Sequence, residues 1–539
     1  MLSRLIVRVR RVPITTAALT IIVITVCFGA MLSPLPITAH GEAKASAAPA
    51  EPPSPSPDPT VAPAVPAGPR NAVVILADDL DWSVFSATPE FKDLQKQGAT
   101  LTNFVVTDSL CCPSRTSLLR GQYVHNHLVK SNVPRTQGGW TTFFKRNLQL
   151  NNLPTWLSGA KVSSALIGKY LNGFPGELPA TYVPPGWDHF ETTVNGNVAY
   201  TGYNYQLATN GRVSRPARFL NDKLTTDTLN WLKGISAPFY LEFSSYLPHS
   251  PAPASPGDVG KHAGARAPRP PSFNVTSSQD VLWLRDLPPI KRGRLSAIDR
   301  TWAQRLDSAH SFARSATAIV DALRRKGVLE NTLVVIASDN GYHLGTHRMV
   351  SGKGSPFRED TIVPVVIIGG GARPGTTIDA MTSMIDVAPT ITEWLGASAR
   401  EIVDGRSLLP LLADPEGPWR TGVLTEHFNT PDEGDPDFHD VESPPYRALR
   451  TKQWLLVDYK GESALYDLSS DPFEMSNIFS TAPRETVQML RRQLGALSEC
   501  ARDSCRVADM MPVPSPPIDA NPGDASQPSA SPSASASQG

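Results

Sequence analysis

NAVVILADD, running from Asn71 to Asp79, is a continuous apolar run that ends in two carboxylates. A run of that length, rich in β-branched residues and without polar alternation, is predicted to be a strand buried on both faces, as in a parallel sheet. Open α/β sheets bind ligands beyond the carboxyl ends of such strands, so Asp78 and Asp79 stand where a site is expected. The pattern returns along the chain. TLVVIA (Thr332–Ala337) runs into Ser338-Asp339-Asn340-Gly341, FYLEF (Phe239–Phe243) leads to Pro248-His249-Ser250-Pro251, and VPVVII (Val363–Ile368) leads to three glycines.

Helical patterns separate these runs. Leu295–Lys326 carries apolar residues at three- and four-residue spacing without proline, and Asp386–Leu395 has Pro389 in its first turn. Strands alternating with helices imply an α/β fold with a large, mostly parallel sheet flanked by helices. The C-terminal part reads differently. Tyr446–Asp458 and Ala464–Leu468 are predicted as antiparallel strands and Glu485–Leu497 as a helix, which makes 420–511 a smaller α+β subdomain with an antiparallel sheet behind a catalytic part at 70–419.

The 539 residues carry 50 Lys+Arg and 50 Asp+Glu, a balance that gives no reason to expect nucleic-acid binding or a polybasic membrane patch. Any substrate charge must be met locally, inside a site. Proline concentrates in Ala48–Pro69 and Pro514–Gly539, which lack the apolar residues that offset ordering entropy; a disordered linker at 44–69 and a disordered tail at 512–539 are expected. At the N-terminus Arg4, Arg8, Arg10 and Arg11 precede the uncharged apolar run Val12–Leu32. Residues 1–43 therefore read as a signal peptide, with small residues at Ala43-Lys44-Ala45 for cleavage, or as an uncleaved membrane anchor. Either way the chain is expected to be exported, secreted or tethered at the cell surface.

Of five cysteines, Cys27 lies in that apolar run. Cys500 and Cys505, close together in an exported chain, suggest a small-loop disulfide; two free loop thiols are the alternative. Cys111 and Cys112 are adjacent, and neighbouring cysteines rarely bond each other because the geometry is strained. They belong to Cys111-Cys112-Pro113-Ser114-Arg115-Thr-Ser-Leu-Leu-Arg120-Gly121. This segment resembles the signature of the formylglycine-dependent sulfatases, C-x-P-S-R followed by a short run ending in Gly. The continuation Gln122-Tyr-Val-His125-Asn126-His127 resembles the N-acetylglucosamine-6-sulfatase branch, as does the Cys500/Cys505 loop. Further family elements follow in order: Asp78-Asp79, Gly168-Lys169-Tyr170-Leu171-Asn172, Pro248-His249-Ser250-Pro251, Asp339-Asn340-Gly341 through His347, and Lys353. The similarity spans about 70–510.

The resemblance implies an alkaline-phosphatase-like sulfatase fold and a nucleophile made by oxidising Cys111 to formylglycine (3-oxoalanine), with a formylglycine-generating enzyme as biosynthetic partner. It implies a metal held by Asp78, Asp79, Cys111, Asp339 and Asn340. Oxygen-rich ligation suits a hard cation, Ca²⁺ or Mg²⁺, and the family favours Ca²⁺. Arg115, four residues after Cys111, shares its face if a helix starts there, and should hold the nucleophile and metal carboxylates in place. Lys169 and Lys353 should bind sulfate oxygens, His249 the leaving-group oxygen, and His347 the substrate. Many sulfatases place a histidine two residues after the central lysine; Leu171 stands there. His347 matches the family's downstream histidine and His125 or His127 could lie nearby, and the residue that deprotonates the nucleophile is left open among them.

Each piece has an ordinary reading. Asp-Asp after a strand is often a helix cap, Asp-Asn-Gly a turn, and a lysine among glycines a solvated side chain. What weighs against them together is that separate segments match one family in one order. The expected function is hydrolysis of a sulfate ester on a sugar, such as N-acetylglucosamine 6-sulfate, or on an aryl group. Two alternatives are a phosphonate or phosphate monoester hydrolase of the same superfamily and a non-catalytic glycan-binding surface protein.

Overall fold

NAVVILA forms β1 (Asn71–Ala77), and each of its residues is buried. The structure, a computed structural model, describes residues 68–428, 441 and 443–514. The strands that follow are β2 (Ala99–Val105), β3 (Ser163–Gly168), β4 (His189–Thr193), β5 (Leu207–Thr209), β6 (Arg212–Ser214), β7 (Phe239–Ser244), β8 (Thr332–Ser338) and β9 (Ile362–Ile368), with the two-residue strands β10 (Thr377–Ile378) and β11 (Thr382–Ser383). They build an 11-stranded sheet in the order β10-β2-β9-β8-β1-β7-β3-β4-β5-β6, with β11 also on β2. The centre, β8-β1-β7-β3-β4, is parallel throughout.

The expected buried strand at Val363–Ile368 exists as β9 but runs antiparallel to both β8 and β2. Its connection from β8 carries only a short helix, Arg358–Thr361, where a parallel return needs a crossover. Pro364, which cannot donate a ladder hydrogen bond, faces the register shift between Leu101 and Phe104 of β2.

Alternation along β1 feeds two cores. Ala72, Val74 and Leu76 pack in one layer with Leu118, Leu119, Ile391 and Trp394; Val73, Ile75 and Ala77 pack in the other with Leu306, Phe312 and Ile319. The covering helices are α1 (Cys111–Arg120), α2 (Leu220–Gly234), α3 (Arg292–Arg325) and α4 (Val387–Trp394). α3 buries Ile298, Trp302, Leu306, Ala309, Phe312, Ala316, Ile319 and Leu323, the spacing that predicted it.

The C-terminal sheet is β12 (Gly422–His427), β13 (Tyr446–Thr451), β14 (Trp454–Tyr459) and β15 (Ser463–Asp467), antiparallel in that order. One face packs on α5 (Arg484–Glu499) through Leu424, Leu449, Leu456, Leu490, Leu494 and Leu497. The other packs Leu455, Val457 and Tyr466 against Met349 and Phe357 of the β8–β9 connection. Cys500 and Cys505 are joined by a disulfide, so the free-thiol alternative does not hold.

The leader or anchor expected within 1–43, the linker up to residue 67 and the tail beyond residue 514 lie outside the described residues. Among the described residues no helix is long and apolar enough to cross a membrane. The expectation of an exported chain held by an apolar anchor is corrected accordingly: no helix among the described residues can serve as one, and the tether is dropped.

Glu242 sits in the middle of β7, buried, and accepts a hydrogen bond from the Tyr240 hydroxyl at 2.9 Å. Burial raises its carboxyl to about 7, against the lowering effects of Tyr240 and Arg115. A raised folded-state value favours the protonated form, so its contribution is complete below the unfolded value and is lost as pH rises toward about 7. Glu242→Gln should remove this dependence, worth about 3 kcal/mol. The difference in melting temperature between variant and parent is expected to grow from pH 5 to pH 8 in the variant's favour; parallel profiles would refute it.

Candidate active site

The carboxyl ends of β1, β2, β3, β7 and β8 deliver the chemistry. Beyond β1 the ladder continues for one step, with the Asp78 amide donating to Leu247 carbonyl at 3.0 Å and the Asp339 amide to Ala77 carbonyl at 3.2 Å. Beyond β3 the Lys169 amide donates to the Ser244 carbonyl at 2.7 Å. Gly168 permits this approach: its φ is 129°, and a Cβ there would lie 1.8 Å from the Ser244 carbonyl oxygen. Asp79 takes left-handed backbone at φ 66°, sparsely allowed for a residue with a side chain. Its amide donates to Asp339 Oδ1 at 3.2 Å, and Arg305 donates to its carbonyl. Such strain persists only where the surroundings over-determine it.

Cys111 is the first residue of α1, so a helix does begin at the expected position, and Arg115 is one turn on. Cys111 Sγ lies 3.2 Å from Asp78 Oδ1 and 3.0 Å from Lys353 Nζ. Lys353 Nζ also reaches Asp79 Oδ1 at 2.6 Å, and Lys169 Nζ reaches Asp78 Oδ2 at 2.5 Å. Arg115 donates from Nε to Asp339 Oδ2 at 2.7 Å and from Nη1 to the Lys169 carbonyl at 3.1 Å and to Ser244 Oγ. Asn340 Nδ2 donates to Asp79 Oδ1 at 2.6 Å. His249 Nδ1 lies 2.7 Å from the Ser250 carbonyl, which only accepts, so that nitrogen carries the hydrogen. Nε2 is then turned toward Asp79 Oδ2, 3.8 Å away. The His249 ring stacks on Tyr200 at 4.2 Å.

All these groups are buried, so their charges act with little screening. Burial alone would raise the Asp78 carboxyl; Lys169, His249, Arg115 and Lys353 outweigh it and hold the group well below the usual carboxylate range. Asp339 moves the other way, raised by burial and by the neighbouring charge of Asp78. Burial opposes the charge on Lys169 and Arg115, yet the carboxylates keep both firmly protonated.

Asp78, Asp79, Cys111 and His249 each offer a donor atom within 4.8 Å of the others. Asp339 and Asn340 join through Asp79. Asn340 Oδ1 is buried without a hydrogen-bond partner. Three carboxylates and an orphaned amide oxygen are a donor set that fits a hard divalent cation. Beside this cluster a cavity of about 480 Å³ opens, lined among others by Arg135, Lys169, Leu171, Asn172 and Tyr200.

His347 does not join these contacts. Its ring stacks on Phe357 at 4.0 Å, beside Glu359 and Glu474, and it is 2 % exposed, which sets it in a second group of ligand-type side chains. His125 is bound to Glu426 at 2.6 Å and His127 to Ser117 Oγ at 3.0 Å, which engages both elsewhere.

Arg305 was not read from the sequence. It leaves the apolar face of α3 to contact the Asp79 carbonyl, Asp81 Oδ2 at 2.8 Å and the Pro248 carbonyl at 3.3 Å, and stacks on Tyr342 at 4.1 Å. The available signal was a lone arginine continuing the spacing Ile298, Trp302, Ala309. Tyr200 and Ser244 carried none, lying outside any motif.

The profile of the family described as "Sulfatase" matches residues 70–397, and that described as "N-sulphoglucosamine sulphohydrolase, C-terminal" matches 353–499. The N-acetylglucosamine-6-sulfatase of Capra hircus is 29% identical over 477 residues, 81% of this chain and 84% of the relative. Among solved structures, BT4656 in complex with its substrate D-glucosamine-2-N,6-O-disulfate superposes with a TM-score of 0.68 at 19% identity, covering 82% of this chain and 99% of that one. The phosphonate monoester hydrolase of Agrobacterium radiobacter superposes with a TM-score of 0.60 at 20% identity, covering 79% and 96%. The fold is therefore the alkaline-phosphatase-like sulfatase fold, and with a family match over residues 70–397, more than half of the chain, the chain belongs to the sulfatases, hydrolases of sulfuric esters.

Proposed function

We propose that the chain hydrolyses the 6-O-sulfate ester of an N-acetylglucosamine-type sugar, with aryl sulfates as simpler substrates, using formylglycine at position 111 and a bound Ca²⁺, for which Mg²⁺ is the alternative. The observation that carries this is Cys111 at the start of α1, with an acidic neighbour at 3.2 Å and a lysine at 3.0 Å. The sugar assignment rests on the glucosamine sulfatases the chain resembles. Cys111 is 0% exposed, so its oxidation by a formylglycine-generating enzyme must precede folding.

Oxidised and hydrated, residue 111 supplies one hydroxyl to attack sulfur and a second whose deprotonation expels sulfate. Asp78, Asp79, Asp339 and Asn340, with residue 111, would hold a divalent cation, which would supply Lewis-acid charge and lower the pKa of the residue 111 hydroxyl. The chain's own groups do the rest. Lys169 and Lys353 neutralise sulfate oxygens as point charges. The N-terminus of α1 adds partial positive charge at the same place. His249, protonated on Nε2, donates to the alcohol oxygen as the sulfur–oxygen bond breaks. Arg115 holds Asp339, and Arg305 holds Asp79 in its left-handed conformation. The division into a catalytic part, 70–419, and a smaller part, 420–511, belongs to this proposal.

Incubation with a strong chelator is expected to lower turnover by on the order of tenfold or more, with recovery on adding calcium. Undiminished turnover after complete removal of divalent ions would sink the metal role. The resemblance to the phosphonate monoester hydrolase gives the second reading, since one basic pocket accepts either ester. Assaying N-acetylglucosamine 6-sulfate, an aryl sulfate and an aryl phosphonate monoester side by side decides between them. The first two should turn over faster; preference for the phosphonate overturns the proposal.

A further inference from the structure

The β8–β9 connection that carries Asp339, Asn340 and Lys353 also carries part of a second group of ligand-type side chains. His347, Glu359 and Glu474 each offer one donor atom, and these atoms lie within 4.8 Å of one another. They come from three places: the loop after β8, the short helix Arg358–Thr361, and the segment after β15. His347 and Glu474 are 2 % and 1 % exposed. His347 Nε2 is buried without a hydrogen-bond partner, and so is Glu359 Oε2. Each unpaired buried group is a cost to the fold that a bound cation removes.

Glu474 is already oriented. Its Oε2 accepts from the Arg358 amide at 2.9 Å, and Arg450 stands 2.7 Å from Oε1. Arg358 sends its guanidinium to the Pro472 carbonyl, at 3.0 Å, and its charge is also felt by Glu359. With Arg450 balancing one carboxylate, a divalent ion would meet one imidazole nitrogen and the Glu359 carboxyl, which burial and Glu474 raise to about 8 and which the ion would ionise.

We propose that His347, Glu359 and Glu474 form a second, accessory metal site that takes a borderline divalent ion such as Zn²⁺ or Mn²⁺. One nitrogen and two carboxylates suit these ions better than calcium, which prefers six or more oxygens. Donors on a tetrahedral zinc ion are about 3.3 Å apart, so the three atoms need to close by only about an ångström or so. The ion would tie the loop that carries Asp339 and Lys353 to the C-terminal sheet, acting on rigidity and leaving the chemistry to the oxygen-rich site.

The test uses the full chain, stripped with chelator, saturated with calcium and then dialysed against zinc sulfate alone, with bound metal measured by mass spectrometry after gel filtration. Stoichiometric zinc is expected in the parent and in Asp78→Asn, which alters only the other site. Zinc retention should fall roughly tenfold or more in His347→Ala and in Glu359→Gln. Zinc should raise the melting temperature of the parent and leave that of Glu359→Gln, the variant that keeps its shape, unchanged. A parent that retains neither zinc nor, in a parallel dialysis, manganese shows a metal-free polar cluster and overturns the proposal, as does full retention by Glu359→Gln.

Discussion

Cys111→Ala and Cys111→Ser are expected to lower sulfate ester turnover by on the order of 10⁴-fold or more, the scale seen when a covalent nucleophile is lost, while Cys112→Ser keeps it. The two cysteines are adjacent in sequence and opposite in setting. Cys111 Sγ touches Asp78 and Lys353; Cys112 packs in the apolar layer with Leu118, Leu119 and Tyr170. Burial raises the Cys112 thiol to about 12, far from a reactive thiolate. Serine at 112 buries a hydroxyl at a cost of about 1–3 kcal/mol, a loss of stability and not of chemistry. Serine at 111 is the more informative change. It retains a hydroxyl able to attack sulfur but has no second one to expel sulfate, so a covalent sulfate adduct on residue 111 should accumulate after a single turnover. Mass spectrometry of the peptide spanning 111 reads the outcome: the parent carries the aldehyde or its hydrate, and Cys111→Ser carries sulfate after exposure to substrate. Full activity in Cys111→Ala would defeat the assignment.

What the sequence disclosed depended on whether a feature is local. β1 and β8 were legible because a strand buried on both faces favours an unbroken apolar run, and β7 stayed legible although Glu242 interrupts its run. The direction of β9 was not legible, because it follows from a connection lacking a crossover helix and not from the residues of the strand. The site divided the same way. Asp78, Asp79, Asp339 and Asn340 stand at strand ends, and Cys111 and Arg115 share one helical turn, so local pattern marked their places and the family resemblance supplied their expected roles. Arg305 and Tyr200 reach the site only through tertiary packing. His347 shows the converse. It belongs to a run of matching residues, yet left-handed backbone at His347 and Arg348, φ 52° and 60°, reverses the chain there, and its ring ends against Phe357.

Arg115→Ala is the second change expected to be severe, and it tests a different link, the electrostatic support beneath the nucleophile. The guanidinium is 3 % exposed and spans three elements: Asp339 beyond β8, the Lys169 carbonyl beyond β3 and Ser244 at the end of β7. Removing it leaves Asp339 buried beside Asp78 without its closest cation. Breaking one side of a buried ion pair costs about 3–5 kcal/mol, because the remaining charge cannot be rehydrated. Asp339 is already pushed upward by burial and by Asp78, so losing the guanidinium further disfavours the ionised form that an anionic ligand needs. Turnover should then fall by about 10²–10³-fold even below the melting temperature, since the loss of a positioned charge at the reacting centre is of that size. Arg115→Lys separates charge from shape. Lysine keeps the positive charge but lacks the planar fork that reaches Asp339, the Lys169 carbonyl and Ser244 at once. It should recover part of the lost stability and less of the lost turnover. If Arg115→Ala melts with the parent and turns over at the parent rate, the carboxylates beyond β1 and β8 do not need this cation, and the account of how the site is held together is wrong.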